Sequence, residues 1–520
     1  MKTKVRILTP LLIVMLVVIA MFPLGASADT PTHGNLVIHK YVMDDVTLAG
    51  APGDGTTGSA IPASATPLGG VQFRIYKVDI VGGKYPAPGE YELNNYLNPT
   101  IITDSAMNVF TVSPATPATV TTASPSGIGT ASNLPQGIYL VVETANPDVT
   151  SPAPPFVVAV PMADPAGTGW LTDVHVYPKN EMLTFEKEVV ADSVSVGDPV
   201  VYTLVPAVPS DIGKAKKYDI TDQLDAALDF VSVSSVRAGM TKAGAATGVI
   251  LVAGTDYTVT PATATAGGPL VTISFTAAGR AKLATGDGTT NYKYIHIILN
   301  TTVNAAILAG DGTVGNTAEI DFTNQFNENK KIKSRNKGGN ERTEIHTGRI
   351  EIKKVDGAAT GTALAGAVFK IATDAAGTQF LKKDASGKIL TPGAVGYAAA
   401  PDWVVTTAAV TGLAEFAGIA DYTSAAGVKT FKTYYLVEVK SPTGYNMIPD
   451  PIAVTFDNTA VKANSYKMNV MVENYKGFTL PKTGGTGTLL FTIGGIALVG
   501  LALLGLILTK RRRRESESKA

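Results

Sequence analysis

The 520-residue chain contains no cysteine. Disulfides, thiolate metal sites and a cysteine nucleophile are excluded together. Histidine is scarce, at positions 33, 39, 175, 296 and 346 only, which leaves little for a zinc cluster. Charged residues make up 17% and aromatics 7% of the chain, and basic and acidic residues balance at 43 each. That balance argues against a nucleic-acid binder, although it sums segments that need not stay together. Long amphipathic helical periods are also missing. What abounds is glycine (52), proline (31) and runs of Ala, Thr and Val, in short alternating segments broken by turn residues. Such a composition suits strands and turns, and the length suggests three or four domains at roughly 100–200 residues each.

The two ends stand apart from the body. Lys2, Lys4 and Arg6 precede an apolar run from Leu11 to Met21, and Ala26-Ser27-Ala28 supplies small residues for cleavage. Residues 1–28 read as a secretory signal peptide cut after Ala28. Near the other end, the 20 residues from Leu489 to Leu508 carry no charge, and Lys510 and Arg511–Arg514 follow. At about 1.5 Å per residue this stretch spans roughly 30 Å, one hydrocarbon thickness, with the basic residues held inside. Directly before it stands Leu480-Pro481-Lys482-Thr483-Gly484. A pentapeptide of this form, an apolar span and a basic tail, in that order, resemble the sorting signal of Gram-positive surface proteins. The resemblance implies that a sortase cuts between Thr483 and Gly484 and passes the Thr483 carbonyl to an amine. Without the leader and everything after Thr483, 34 basic and 41 acidic residues remain, a net of about −7 by the same counting.

The body contains an internal repeat. Leu68-Gly69-Gly70-Val71-Gln72-Phe73-Arg74-Ile75 is matched by Leu364-Ala365-Gly366-Ala367-Val368-Phe369-Lys370-Ile371, and Tyr139–Glu143 by Tyr434–Glu438. The expected fold is all-β: three tandem immunoglobulin-like sandwiches at 29–181, 182–346 and 347–477, the first and third of one kind, with the sorting signal at 478–520.

Each of these segments places polar residues in phase with its apolar face. Leu36, Ile38 and Lys40 share one face of a strand; so do Leu183, Phe185 and Lys187, and Ile350, Ile352 and Lys354. Acids behave likewise at Glu143, Asp222 and Glu438, and asparagines at Asn180, Asn316 and Asn474. The first set is spaced 103 and then 37 residues and the last 84 and then 36, whereas the middle set runs 35 and then 94. Isolated, such groups are costly to bury. Together they can react. Burial lowers a lysine's pKa and makes it nucleophilic, and raises a carboxyl's pKa so that it can shuttle protons. The lysine then attacks the asparagine carboxamide, ammonia leaves, and an isopeptide bond joins two strands.

With these residues in view, the chain resembles the backbone (major) pilins of Gram-positive sortase-assembled pili. The first and third segments resemble CnaB-type modules and the middle one a CnaA-type module. Tyr435–Glu438 with Pro442-Thr443-Gly444-Tyr445 resembles the E-box, with Val439 where Thr is usual. The first segment has Glu143-Thr144 but lacks the Gly-Tyr after Pro147, so the family pattern is incomplete around the Lys40–Asn180 pair. Trp170–Asn180 closely resembles the pilin motif, in which Lys179 accepts the incoming subunit. Period two puts Lys179 on the outward face with His175 and Tyr177.

The resemblance implies a structural shaft subunit rather than an enzyme. Its expected partners are identical subunits joined head to tail, a pilus-specific and a housekeeping sortase, minor pilins and peptidoglycan, with no nucleic acid and only transient membrane anchoring. No cofactor is expected; Asp54-Gly55 and Asp311-Gly312 read as turns, and a structural calcium is left open. Two other readings are a monomeric wall-anchored adhesin and a wall-anchored hydrolase, the second without any catalytic signature in the sequence.

Overall fold

The computed structural model describes residues 30–43, 53–58, 61–62, 65–144, 152–167, 169–286, 288, 291–325, 327–359, 361–425, 428–477 and 487–517. The signal peptide and the pentapeptide Leu480–Gly484 lie outside these residues. The architecture is all-β, and no described sheet draws strands from more than one of the ranges 33–181, 185–346 and 348–474.

In the first range, strand His33–His39 lies between Asp173–Val176, parallel, and Ile128–Pro135, antiparallel. Facing it is a six-stranded sheet in the order Phe156–Val160, Gly137–Glu143, Gln72–Val78, Val109–Thr121, Ile101–Thr103, Glu92–Leu93. Leu36, Ile38, Phe73, Ile75, Tyr139 and Val141 fill the space between the sheets. Alternation alone puts Leu140 and Val142 outside. Both are buried, because the far face of the six-stranded sheet carries a second apolar cluster with Tyr76, Ile102 and Phe110. A strand buried on both faces loses its period-two signature.

The range 348–474 repeats this plan. Its opening strand Gly348–Asp356 again lies between an antiparallel neighbour, Leu413–Ile419, and a parallel closing strand, Lys467–Asn474. Val368–Ala372 and Thr433–Lys440 form the centre of the opposing sheet. The middle range differs. Two five-stranded sheets face each other, one opening with Phe185–Val189 beside Pro199–Pro206, the other centred on Lys217–Gln223. The strand with Asn316, Thr313–Asn316, pairs with Thr343–His346 in a separate ribbon.

The middle and last ranges are joined tightly. A single apolar core runs from Leu183 through Phe322 to Val472. Val196 N donates to Gly418 O at 2.9 Å, and Ile389 N donates to Val196 O at 2.9 Å. Beside these bonds, the Ser193 hydroxyl donates to Asp421 Oδ1 at 2.5 Å, and the same oxygen meets His346 Nε2 at 3.0 Å. Asp421 is buried, yet the His346 ring and the Ser193 hydroxyl hold its pKa below the usual carboxylate value. The first range keeps its own two clusters and meets the middle one through the exposed Lys214–Glu90 ion pair at 2.5 Å. Beyond the sandwiches, helix Gly487–Glu517 is long and apolar enough over Gly487–Arg514 to cross a membrane.

Candidate functional site: three buried lysines and the lysine of the closing strand

The in-phase lysines Lys40, Lys187 and Lys354 are fully buried, with no exposed surface. In the first sandwich, Ile38 pairs with Val176 and Tyr41 with Lys179, so Lys40 stands level with Pro178, two residues before Asn180. In the last, Lys354 pairs with Val472, again two residues before the asparagine, Asn474. Parallel pairing of the first and last strands thus brings residues 120–140 apart in sequence to one point. The acid arrives from the opposite sheet, where Glu143 pairs with Phe73 and Glu438 with Phe369.

Lys40 donates to Glu143 Oε2 at 2.8 Å and makes a shorter contact with Asn180 Oδ1, while Asn180 Nδ2 donates to Glu143 Oε1. In the last sandwich, Lys354 donates to Asn474 Oδ1 at 2.5 Å and to Val472 O at 2.9 Å. Asn474 Nδ2 donates to both Glu438 oxygens, at 2.9 and 3.0 Å, and to Asn446 O at 3.0 Å. A backbone N–H ten residues after the acid completes each set: Ala153 N on Glu143 at 3.1 Å and Ile448 N on Glu438 at 2.8 Å. The absence of Gly-Tyr after Pro147 therefore leaves the first constellation assembled.

The middle set comes together by a different route. Lys187 donates to Asp222 Oδ2 at 2.5 Å and lies 4.8 Å from the centre of the Tyr202 ring. Asn316 is buried beside Asp222 and Tyr202 and favours the charged form of each, yet neither of its amide atoms makes a hydrogen bond of ordinary geometry. Asp222 Oδ1 and the Tyr202 hydroxyl share that condition. Unsatisfied buried polar atoms are rare and cost about 1–3 kcal/mol each.

Electrostatics push each lysine toward the neutral amine. Burial lowers the Lys40 and Lys187 pKa values, opposed by Glu143 and Asp222, and lowers Lys354 to about 8 against the pull of Glu438. Burial raises Asp222 toward the protonated acid, opposed by Lys187. A neutral amine beside a protonated acid is the pairing that attack on an amide needs.

Lys179 lies on strand Lys179–Glu181, in phase with His175 and Tyr177 as expected. The outward face is not open to solvent along its length, however. Residues 53–58 lie over it: His175 N donates to Gly55 O at 2.9 Å, and the Tyr177 hydroxyl accepts from Gly58 N at 2.5 Å and donates to Thr56 O at 3.2 Å. Tyr177 is consequently buried and Lys179 half-buried, and burial lowers the Lys179 pKa. His39 joins this cover, with its ring nitrogen 2.9 Å from His175 Nδ1 and its ring stacked on Tyr177 at 4.8 Å. The packing of His39 against both His175 and Tyr177 was not legible from period two. The turn at Asp54-Gly55 was: Asp54 Oδ1 accepts from Thr56 N at 3.0 Å, and Gly55 has φ +86°. A Cβ on Gly55 would lie 2.1 Å from Met162 Cε. Among the described residues no group of three or more His, Cys, Asp or Glu is placed to hold a metal ion.

These features define a sandwich-built, wall-anchored surface protein: residues 472–517 match the LPXTG cell wall anchor motif. Residues 31–181 match the Gram-positive pilin subunit D1, N-terminal domain, and residues 348–469 match the SpaA prealbumin-like fold domain. A pilin N-terminal domain, a prealbumin-like domain and a wall anchor, in that order, make the chain a shaft subunit of a cell-wall-anchored surface pilus. It is 28% identical to fimbrial subunit type 2 of Actinomyces naeslundii, over 94% of this chain and 91% of that one. It is also 28% identical to fimbrial subunit type 1 of Actinomyces viscosus, over 94% and 93%. The full-length major pilin SpaD of Corynebacterium diphtheriae shares the fold, with a TM-score of 0.53 and 23% identity over 86% of this chain and 98% of that one.

Proposed function

We propose that this pilin polymerises through an amide between the Thr483 carbonyl of one subunit and Lys179 of the next, and that three internal Lys–Asn bonds stiffen each subunit. A sortase thiol displaces Gly484 from Thr483 and leaves a thioester. The neutral Lys179 amine attacks that carbonyl, the thiolate departs, and an amide remains. Repetition gives a heterologous interface that does not close, hence a fibre. A housekeeping sortase then transfers the finished fibre to peptidoglycan, and minor pilins join it.

Within each subunit, Lys40, Lys187 and Lys354 attack the side-chain carbonyl carbons of Asn180, Asn316 and Asn474. Glu143, Asp222 and Glu438 carry the proton from the attacking nitrogen to the leaving one, and ammonia departs. Each bond forms once, so the subunit is a substrate of sortase and of its own acids rather than a turnover catalyst. The observation that carries this reading is the contrast on one strand: Asn180 faces the buried Lys40, while its neighbour Lys179 stands half-buried on the other face. One lysine is committed inward, and the other is left for a second molecule.

Lys179→Ala is expected to abolish the high-mass ladder on denaturing gels and leave surface-anchored monomer. An unchanged ladder would sink this reading in favour of another acceptor. Wild-type chain found only as monomer would favour the wall-anchored adhesin.

A further inference from the structure

We infer that the strand carrying Lys179 is also the docking edge for the tail it captures: residues 478–480 of the preceding subunit add as a strand beside Lys179–Glu181. This rests on the polymerisation reading above and concerns how the two chains meet. Lys179–Glu181 is the outer strand of a three-stranded sheet, next to Tyr41–Met43 and then Thr66–Pro67. Its parallel register is Lys179 with Tyr41, Asn180 with Val42 and Glu181 with Met43. Tyr41 N donates to Pro178 O at 3.1 Å, and Met182 N donates to Met43 O at 3.0 Å. Alternate residues of a strand turn their N–H and C=O to opposite sides. These two bonds assign Pro178 and Met182, and Asn180 between them, to the inner side. The backbone N–H and C=O of Lys179 and Glu181 therefore face outward, and among the described residues no strand pairs with them. Four residues before Lys179 the same edge is taken, where His175 N meets Gly55 O. Among the described residues the edge is covered up to the motif's tyrosine and open at its lysine. An open edge is a template for an added chain.

Chain length selects the occupant. The last sandwich ends at Gly477, six residues before Thr483, a reach of about 20 Å at roughly 3.4 Å per residue. Once Thr483 is joined to Lys179, residues 478–482 are the part of the preceding subunit tethered closest to this edge. Their composition agrees. Phe478, Thr479 and Leu480 are β-prone, and Pro481, which lacks a donor, is tolerated only in an edge position such as an outermost added strand provides. Because the lysine side chain stands off the plane of the sheet, Lys482 and Thr483 leave the ladder to reach Nζ, and Phe478–Leu480 are left to pair.

Amide hydrogen exchange on assembled fibres and on the unpolymerised full chain tests this. The Lys179 and Glu181 amides are expected to exchange at least tenfold more slowly in the fibre. Equal rates in fibres whose Lys179–Thr483 junction peptide is found would overturn the docking edge and leave polymerisation standing; absence of that peptide would overturn polymerisation itself. Glu181→Pro, which deletes one outward N–H, is expected to form the junction at least tenfold more slowly than Glu181→Ala. Equal rates in the two variants would contradict the proposal. If Glu181→Pro fails to fold, the exchange comparison decides.

Discussion

The first and last sandwiches hold the same three residue types on the same topology, yet they arrange the proton differently. In the first, Glu143 bridges the lysine nitrogen and the asparagine nitrogen, so a complete route from nucleophile to leaving group is in place. In the last, Glu438 grips the asparagine nitrogen with both oxygens and makes no bond to the lysine, so Lys354 reaches the acid through Asn474. The middle set is a third case, in which the acid bonds the lysine and the asparagine amide, though beside the acid, makes no hydrogen bond of ordinary geometry. The acid's partner before reaction therefore decides what its removal takes away: a direct ion pair at Lys40 and Lys187, but an amide bond at Asn474, which keeps its contact with Asn446 O.

The largest expected effect follows from that contrast. Asp222→Asn is expected to prevent the proposed middle bond and removes the ion-pair partner of a fully buried lysine. Losing the closure of a loop of this length costs about 4–5 kcal/mol, and breaking the buried Lys187–Asp222 pair adds about 3–5 kcal/mol. Calorimetry on the full ectodomain is expected to show the transition of the middle range collapse or vanish, with no loss of ammonia there. Glu438→Gln breaks no direct ion pair to its lysine and is expected to cost less, chiefly the missing bond's share of about 4–5 kcal/mol, which lowers its transition by roughly 10–20 °C. Equal losses in the two variants would erase the distinction.

A smaller effect separates Lys354 by pH. In Asn474→Ala the lysine stays unreacted, with a folded pKa of about 8 against an ordinary 10.5. The unfolded chain holds the proton more tightly, so the penalty of burying the ammonium is complete below pH 8 and is relieved as pH rises toward 10.5. Stability of the last range should increase by about 2–3 kcal/mol across that window, seen in urea midpoints at pH 7.5 and 10. A flat or falling profile would mean that Lys354 leaves the core. The smallest effect is expected from Val439→Thr, which restores the usual E-box residue. Val439 is more than a third exposed and bonds to none of the three reacting groups, so the extent of bond formation should not change.

Much of this site was legible in the sequence because it obeys period two. A lysine two residues beyond two apolar in-phase positions had to point inward, and the repeat supplied the same arrangement twice. The parallel register that places Lys40 and Lys354 two residues short of their asparagines was not legible, since pairing of the first and last strands is a property of topology. Leu140 and Val142 depart from the alternation for a related reason: the second cluster around Ile102 and Phe110 comes from strands distant in sequence. The cover over Tyr177 was missed because backbone bonds from Gly55 and Gly58 leave no pattern in residue type, and it turned an expected open face into a half-buried one. Asp222 was found by its phase, whereas the aromatic ring of Tyr202 over Lys187 carried no signal beyond an ordinary core tyrosine.

The most direct test of the central claim is the intact mass of the folded ectodomain, before and after each of the three acids is replaced in turn. Three internal bonds predict a deficit of three ammonia molecules, about 17 Da each, with one restored by each replacement. A wild-type ectodomain at its full sequence mass would contradict the account.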